Sequence, residues 1–404
     1  MKALLPVAGN GTRMYPLGLT TPKCLVPILN KPLLQWSIES LTQNGITEIV
    51  LVINAGEFGQ KIQDFVKQSF SKNVKITFAT QQEQLGTAHV IQMAKDFFAK
   101  DEEFVFLYGD DLYGPANIAA VLQIKGLAVT GSPVKDPEKW GIFQTDEQNN
   151  LVQVVEKPEK PIGNLANIGC MKLNARVFEI FSQLKPSPRG EYELTESLNI
   201  LAKETPIQVL QASDYWIPIG YPWHILEATE LLAPKIESKI EGTVEENVQI
   251  KGKVVLPKSS TIKSGTYIEG NLVIGENTTL GPNAYIRGDT SVGNNCKVGF
   301  SVELKNSVVG NYTHIPHLSY IGDSVLGEHI NFAGGSLVAN FRHDGKTVQT
   351  PVKGQMVETH RVKFGTVIGD NVMLGAATKI YPGRKIWPGK TTLPGQIVDK
   401  DITE

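Results

Sequence analysis

From residue 244 onward an aliphatic side chain returns at every sixth position. Val244, Ile250, Leu256, Ile262, Ile268, Ile274, Leu280, Ile286, Val292, Val298 and Leu304 follow without a miss. Hydrophobic residues are 41% of the chain, so eleven consecutive hits arise by chance in roughly one case in ten thousand or fewer. The series slips by one to Val309, Ile315 and Ile321, and again to Leu326, Phe332 and Val338. After an insertion it resumes as Val362, Ile368, Leu374, Ile380 and Ile386, and glycine often follows the aliphatic, as at Gly275, Gly293 and Gly369. This repeat predicts a parallel β-solenoid, with one aliphatic per face pointing inward and small residues at the corners. The hairpin spacing and two-residue alternation of a sandwich are absent.

The first 232 residues follow a different rule. Short β-branched runs (Ala3–Val7, Ile49–Ile53, Val74–Phe78, Phe104–Tyr108, Leu127–Ser132) alternate with helical stretches (Pro32–Asn44, Phe58–Phe70, Thr87–Phe98, Pro115–Gln123). Alternation of this kind implies an α/β domain with a mostly parallel sheet covered on both faces, and ligands at the carboxyl ends of its strands. A length of 404 residues suits two domains, divided here as 1–232 and 233–404 with a helical connector over about 221–240. A net charge of -2 gives no electrostatic reason to expect nucleic acid or an anionic membrane as partner. No apolar run reaches membrane-spanning length, and the start MKALLPVAG lacks the apolar stretch of a signal peptide. Cys24, Cys170 and Cys296 form no CxxC pair; reduced thiols in a cytoplasmic protein are expected.

Directly after the first strand comes Gly9-Asn10-Gly11-Thr12-Arg13-Met14, then Thr21-Pro22-Lys23, Pro27 and Lys31-Pro32. The glycine turn alone is weak, being neither the dinucleotide fingerprint nor the GxxxxGK phosphate loop. Its extension is specific: glycines let backbone amides approach phosphate oxygens, and Arg13 and Lys23 add two cations about the same anion. At these residues the chain resembles the sugar-1-phosphate nucleotidyltransferase family, with its Rossmann-like domain. The resemblance implies that Gly9, Gly11, Thr12, Gln81, Gly86 and Thr87 bind the nucleotide, with Gln81 reading uracil or thymine and so favouring UTP or dTTP. It implies a magnesium ligand in Asp110, and a sugar-phosphate site from Tyr108, Gly141, Glu156, Lys157 and Asn167. Asp111 is expected to be a solvated or supporting carboxylate. The reaction implied is in-line attack of a sugar phosphate oxygen on the α-phosphorus of the nucleotide. Positioning and charge neutralisation dominate such transfers, a task assigned to Arg13 and Lys23. A second metal ligand of related enzymes, in a Trp-x-Asp-x-Gly context, falls on Pro218 of Trp216-Ile217-Pro218-Ile219-Gly220.

Five of the seven histidines fall within residues 314–360. The run Pro316-His317-Leu318-Ser319-Tyr320-Ile321-Gly322-Asp323 resembles the acetyltransferase site of the bifunctional pyrophosphorylases that make UDP-N-acetylglucosamine. That family couples a nucleotidyltransferase to a left-handed parallel β-helix that forms homotrimers. The resemblance implies a second activity, acetyl transfer from acetyl-CoA to a hexosamine 1-phosphate, glucosamine or galactosamine. It makes His317 the general base, with Arg287, Lys305, Tyr320, Asn331, Asn340 and Lys346 around the acetyl acceptor and Gly334 and Ala376 beside the coenzyme. His329, His343 and His360 are read as surface or loop residues, and His314 and His317 lack the acidic or cysteine ligands that would accompany a metal site. Three other readings stay open at this point: a single-activity nucleotidyltransferase with a trimerising solenoid, an acetyltransferase with a decayed first half, and a non-catalytic subunit that binds sugar nucleotides.

Overall fold

The computed structural model describes residues 1–70 and 73–404. It contains two compact units: Met1–Asn10 with Leu33–Pro218, and Gly11–Pro32 with Ile219–Glu404.

The first unit is built on a nine-stranded sheet. Lys75–Gln81, Glu48–Asn54, Lys2–Pro6 and Glu103–Leu107 lie side by side and all parallel, as βαβ crossovers require. Leu4, Val50, Val52, Phe104 and Phe106 are buried together in its core. Beyond this block the sheet is mixed: Leu165–Asn174 runs antiparallel to Glu103–Leu107, Leu127–Pro133 and Gly141–Thr145. The expectation of a mostly parallel sheet therefore holds for this block and again where Ile207–Gln211 pairs parallel with Leu127–Pro133, and is broken where Leu165–Asn174 and the hairpin strand Leu151–Glu156 run the other way. The helix expected over Thr87–Phe98 is also shorter. It ends at Gln92, followed by a 3-10 turn over Lys95–Phe97, after which Phe98 packs its ring on Phe104 and Phe178.

The solenoid in the second unit has three parallel sheets of eight, seven and eight strands. Each inward aliphatic stands over the corresponding one a rung below. One column runs Ile268, Ile286, Leu304, Ile321, Val338, Ile380 and Val398. These side chains are at most 2% exposed. Burying each contributes about 1.5–3 kcal/mol, so such inward columns, one from each sheet, stabilise the solenoid. The first rung is open, leaving Val244 37% exposed, and Val362 is 45% exposed rather than inward. Val362 lies on the return from the insertion, and the wholly buried Phe364 re-enters the core in its place.

Between the inward columns the corners are held by buried hydroxyls. Ser260 Oγ donates to the Gly275 carbonyl (2.7 Å) and accepts from the Thr278 amide (2.9 Å). Thr278 Oγ1 repeats this one rung on, donating to Gly293 (2.7 Å) and accepting from the Cys296 amide (3.0 Å). Cys296 then occupies the hydroxyl position itself, with Sγ donating to the Gly310 carbonyl at 3.2 Å. Burial pushes its thiol up to about 11, so it serves as a packed, inert donor. Thr278→Val keeps the shape but orphans a buried amide and a buried carbonyl, an expected loss of about 1–3 kcal/mol. Thermal denaturation should show a lowered Tm for Thr278→Val and an unchanged or raised Tm for Cys296→Ser.

Candidate active sites

Two parallel strands, Lys2–Pro6 and Glu103–Leu107, end at the same edge of the first unit's sheet. The first leads into Gly9 and the second into Tyr108-Gly109-Asp110. Gly109 is a requirement of that approach: its amide donates to the Pro6 carbonyl (3.2 Å), and an added Cβ would stand 2.4 Å from Val7 Cγ1. Gln84 Nε2 donates to the Ala8 carbonyl at 2.8 Å, which ties the 81–87 segment to the glycine turn. Gln81 ends its strand almost buried, with Nε2 3.1 Å from Nδ1 of His89. Gly86, at φ +106°, lets the chain pass against Tyr192, where a Cβ would meet the backbone at 2.6 Å. Thr87 Oγ1 accepts from the Leu194 amide (2.8 Å).

The residues expected around the sugar phosphate lie on neighbouring strands. Gly141 is paired with Glu156, and Asn167 Oδ1 accepts from the Gly169 amide at 2.9 Å. Gly169 packs so closely on Tyr108 that a Cβ would lie 1.9 Å from Cδ2. Burial raises the Glu156 carboxyl, with Lys157 opposing and Glu193 reinforcing the shift. Arg189, which no motif marked, bridges Glu156 (3.4 Å) and Glu193 (2.7 Å). Burial, with the charges of Glu156, Asp111 and Asp110, holds the Tyr108 phenol firmly protonated. Asp111 is buried rather than solvated: its Oδ2 accepts the Trp216 indole N–H at 3.0 Å. Its strand, Asp111–Tyr113, pairs with Trp216–Pro218 so that Pro218 stands opposite Asp111. Among the described residues no group of three or more His, Cys, Asp or Glu is arranged to hold a metal ion.

The second unit carries Gly11, Thr12, Arg13 and Lys23. Gly11 has φ +58°, and a Cβ there would be 3.1 Å from Lys23 Cβ, so the two cation-bearing turns pack together. Arg13 is exposed and lies over the Tyr221 ring at 5.3 Å, while Tyr221 is stacked on Trp223 at 4.4 Å. Sequence patterns did not mark Tyr221, because a lone aromatic at a helix start has no signature. Asn30, with φ 62°, donates to the solenoid carbonyl of Val292 at 2.7 Å and anchors the end of this segment.

In the solenoid the cluster around the expected acetyl-acceptor site assembles from successive rungs. Arg287, Lys305 and Gly322 stand in register, as do Tyr285, Glu303 and Tyr320. Arg287 pairs with Glu303 at 2.6 Å, and Lys305 Nζ lies 2.7 Å from Asp323 Oδ2. Asn340 Nδ2 donates to the Tyr320 hydroxyl at 3.0 Å and also to Asp323 Oδ2. Gly322 is indispensable here, since a Cβ would lie 2.4 Å from the Tyr320 hydroxyl. Burial, with Asp323 beside it, raises the Tyr320 phenol. His317 ends the strand of the adjoining sheet, exposed, at the corner before Tyr320. Gly334 lies one rung on, with the position of a Cβ 3.4 Å from His317 Cβ, and its carbonyl accepts from the Ala377 amide (3.0 Å), next to Ala376. Asn331 is in register between His314 and Met373. Lys346 is exposed on the insertion, in a hollow lined with Arg342, Gln349, Glu358 and Val362. His314, His329, His343 and His360 are exposed, and His329 stacks on Tyr312 at 4.5 Å.

Fold and sites together define a nucleotidyltransferase joined to a hexapeptide-repeat, left-handed β-helix transferase. The family described as Nucleotidyl transferase matches residues 2–235, and Bacterial transferase hexapeptide (six repeats) matches 271–306. A protein of Sulfurisphaera tokodaii named bifunctional sugar-1-phosphate nucleotidylyltransferase/acetyltransferase is 39% identical, over 100% of this chain and 98% of its own. A Methanococcus maripaludis protein named bifunctional protein GlmU is 42% identical, over 100% of this chain and 96% of its own. A solved UDP-glucose pyrophosphorylase with UDP-glucose matches 58% of this chain and 99% of its own, with TM-score 0.53 and 25% identity. The chain belongs to the family of bifunctional sugar-1-phosphate nucleotidylyltransferase/acetyltransferases.

Proposed function

We propose that this chain acts twice on one amino sugar, residues 1–232 transferring a nucleotide and residues 233–404 transferring an acetyl group. The observation that carries this reading is the polar cluster of Arg287, Lys305, Tyr320 and Asn340, with His317 at its corner, on a repeat whose folding needs only aliphatics. It argues against a solenoid that merely trimerises the chain, and full-length similarity to bifunctional relatives supports the same conclusion.

In the acetyl step, neutral His317 accepts a proton from the amine of a hexosamine 1-phosphate as its nitrogen attacks the thioester carbonyl of acetyl-CoA. The carbon–sulfur bond breaks, and coenzyme A leaves as the thiol, taking up the proton that His317 received. Arg287, Lys305 and Lys346 neutralise the sugar phosphate, Tyr320, Asn331 and Asn340 orient the ring, and Gly334 and Ala376 flank the coenzyme. In the nucleotidyl step, a phosphate oxygen of the sugar attacks the α-phosphorus of UTP or dTTP and pyrophosphate departs. Arg13 and Lys23 stabilise the charge on the phosphates, and backbone amides of Gly9, Gly11 and Thr12 receive their oxygens. With Nε2 of Gln81 directed to His89, its Oε1 is left to accept the imide N–H that uracil and thymine carry and cytosine lacks. Gly86 and Thr87 hold that segment in place. Tyr108, Gly141, Glu156, Lys157 and Asn167 enclose the sugar. Asp110 would hold a magnesium ion bound to the nucleotide, and the ion would supply further neutralisation of the phosphates.

The two steps use different side chains. His317→Ala should lower thiol release by about 10²–10⁴, the usual contribution of a general base. Pyrophosphate release, measured in parallel, should be unchanged; equal loss of both in a folded variant would overturn the assignment. Pro218→Asp should lower the magnesium concentration giving half-maximal pyrophosphate release, since position 218 stands opposite Asp111, the chain neighbour of Asp110. No change would mean that position 218 is not the second ligand position. We also propose a homotrimer through the solenoid, whose faces expose Phe300, Leu318, Met373 and Leu393. Light scattering should give three times the chain mass; a fully active monomer would refute it. A cytoplasmic setting is consistent with three free, buried cysteines, and no described helix is long and apolar enough to cross a membrane.

A further inference from the structure

Asp323 sits beneath the acetyl-acceptor cluster with its side chain only 3% exposed, and three polar side chains converge on it. Its Oδ2 lies 2.7 Å from Lys305 Nζ and also accepts from Asn340 Nδ2. Its Oδ1 accepts from Asn306 Nδ2 at 3.0 Å, and Asn306 Nδ2 in turn reaches Glu230 Oε1 at 2.7 Å on the helix Trp223–Leu232. The backbone locks the same contact: the Asp323 amide donates to the Lys305 carbonyl at 2.7 Å, with Asp323 held at φ 48°. Beside the Lys305 ammonium, both oxygens of this carboxyl group serve as hydrogen-bond acceptors.

That one property orients Asn340. The end of the amide that meets Asp323 must be the NH₂, and its second hydrogen is directed to the Tyr320 hydroxyl at 3.0 Å. Both donors of Asn340 are thereby used, and Oδ1 remains as an acceptor. An acceptor at this point complements the N–H of an amino sugar. Lys305, tethered to the same carboxylate, keeps its ammonium in the row with Arg287, where the sugar phosphate is read. We infer that Asp323 is the positioning residue of the acetyl-acceptor site, setting both the orientation of the Asn340 amide and the placement of the Lys305 ammonium. This rests on the acetyltransferase reading of the solenoid.

The test compares the full-length wild type with Asp323→Asn, which preserves shape while removing the charge and freeing the amide of Asn340 to turn over. Glucosamine 1-phosphate and galactosamine 1-phosphate are the acceptor probes, with thiol release followed at saturating acetyl-CoA. KM for the amino sugar phosphate should rise by about 10- to 100-fold, the scale of breaking a buried ion pair with partial compensation. KM for acetyl-CoA should stay within about twofold and pyrophosphate release should be unchanged, a split that general destabilisation does not produce. A double-mutant cycle with Lys305→Met should be strongly non-additive. Should Asp323→Asn lose its fold, Asn306→Ser, which removes only the third partner of Asp323, should raise the same KM by a smaller factor. An acceptor KM within twofold of wild type in a folded variant overturns the inference. Loss of thiol release in His317→Ala together with that result would leave the acetyltransferase reading standing and sink only the role of Asp323. Absence of thiol release from the wild type would instead sink the reading itself.

Discussion

The in-register stacking of one rung on the next is the constraint on which the solenoid's chemistry depends. A parallel ladder repeats not only the inward column but every outward position as well. Ile268, Ile286, Leu304 and Ile321 hold the interior, and the same register sets Glu269, Arg287, Lys305 and Gly322 in a row on the outside. A site assembled from single residues of successive rungs is therefore as rigid as the core beneath it. Each slip of the repeat by one residue, before Val309 and before Leu326, is absorbed at a corner, so the columns remain continuous.

The first unit solves a similar problem by different means. Its parallel strands bring Gly9 and Asp110 to one edge, and glycines at 86, 109 and 169 remove the side chains that would hold the backbone apart. Neither arrangement relies on a single strong contact. The cation-bearing segment Gly11–Pro32 belongs to the same compact unit as the solenoid, with Arg13 over Tyr221 and Asn30 on Val292.

The helix Trp223–Leu232 has a part in both aspects of the second unit. Trp223, beneath Tyr221 at its start, is wholly buried against Phe364, which returns the chain from the insertion. Toward its other end Glu230 pairs with Arg361 and Asn306. Glu227, on the same helix, is pushed up to about 7 by burial, with Arg361 and Glu230 acting in opposite directions. The connector is thus a packed component of the solenoid unit rather than a tether.

Much of this was legible in the chain itself. The six-residue period, its slips and the insertion announced the solenoid, because an interior of identical columns leaves a periodic trace in one dimension. Gly9 to Lys23 and the run Pro316–Asp323 marked candidate sites, because phosphate cradles and imidazole chemistry use few residue types in fixed order. What the linear order could not decide is which side chains meet. Val362 keeps the period yet is exposed, since the insertion hands its place to Phe364. Asp111 reads as one of two adjacent carboxylates, and only the pairing of distant strands gives it the Trp216 indole. Arg189, His89 and Tyr221 carry no pattern, and Asp323 closes its run without distinction. Its role comes from Lys305, Asn306 and Asn340, three residues supplied by other rungs, and contacts between rungs are a property of the register, which exists only once the chain is folded.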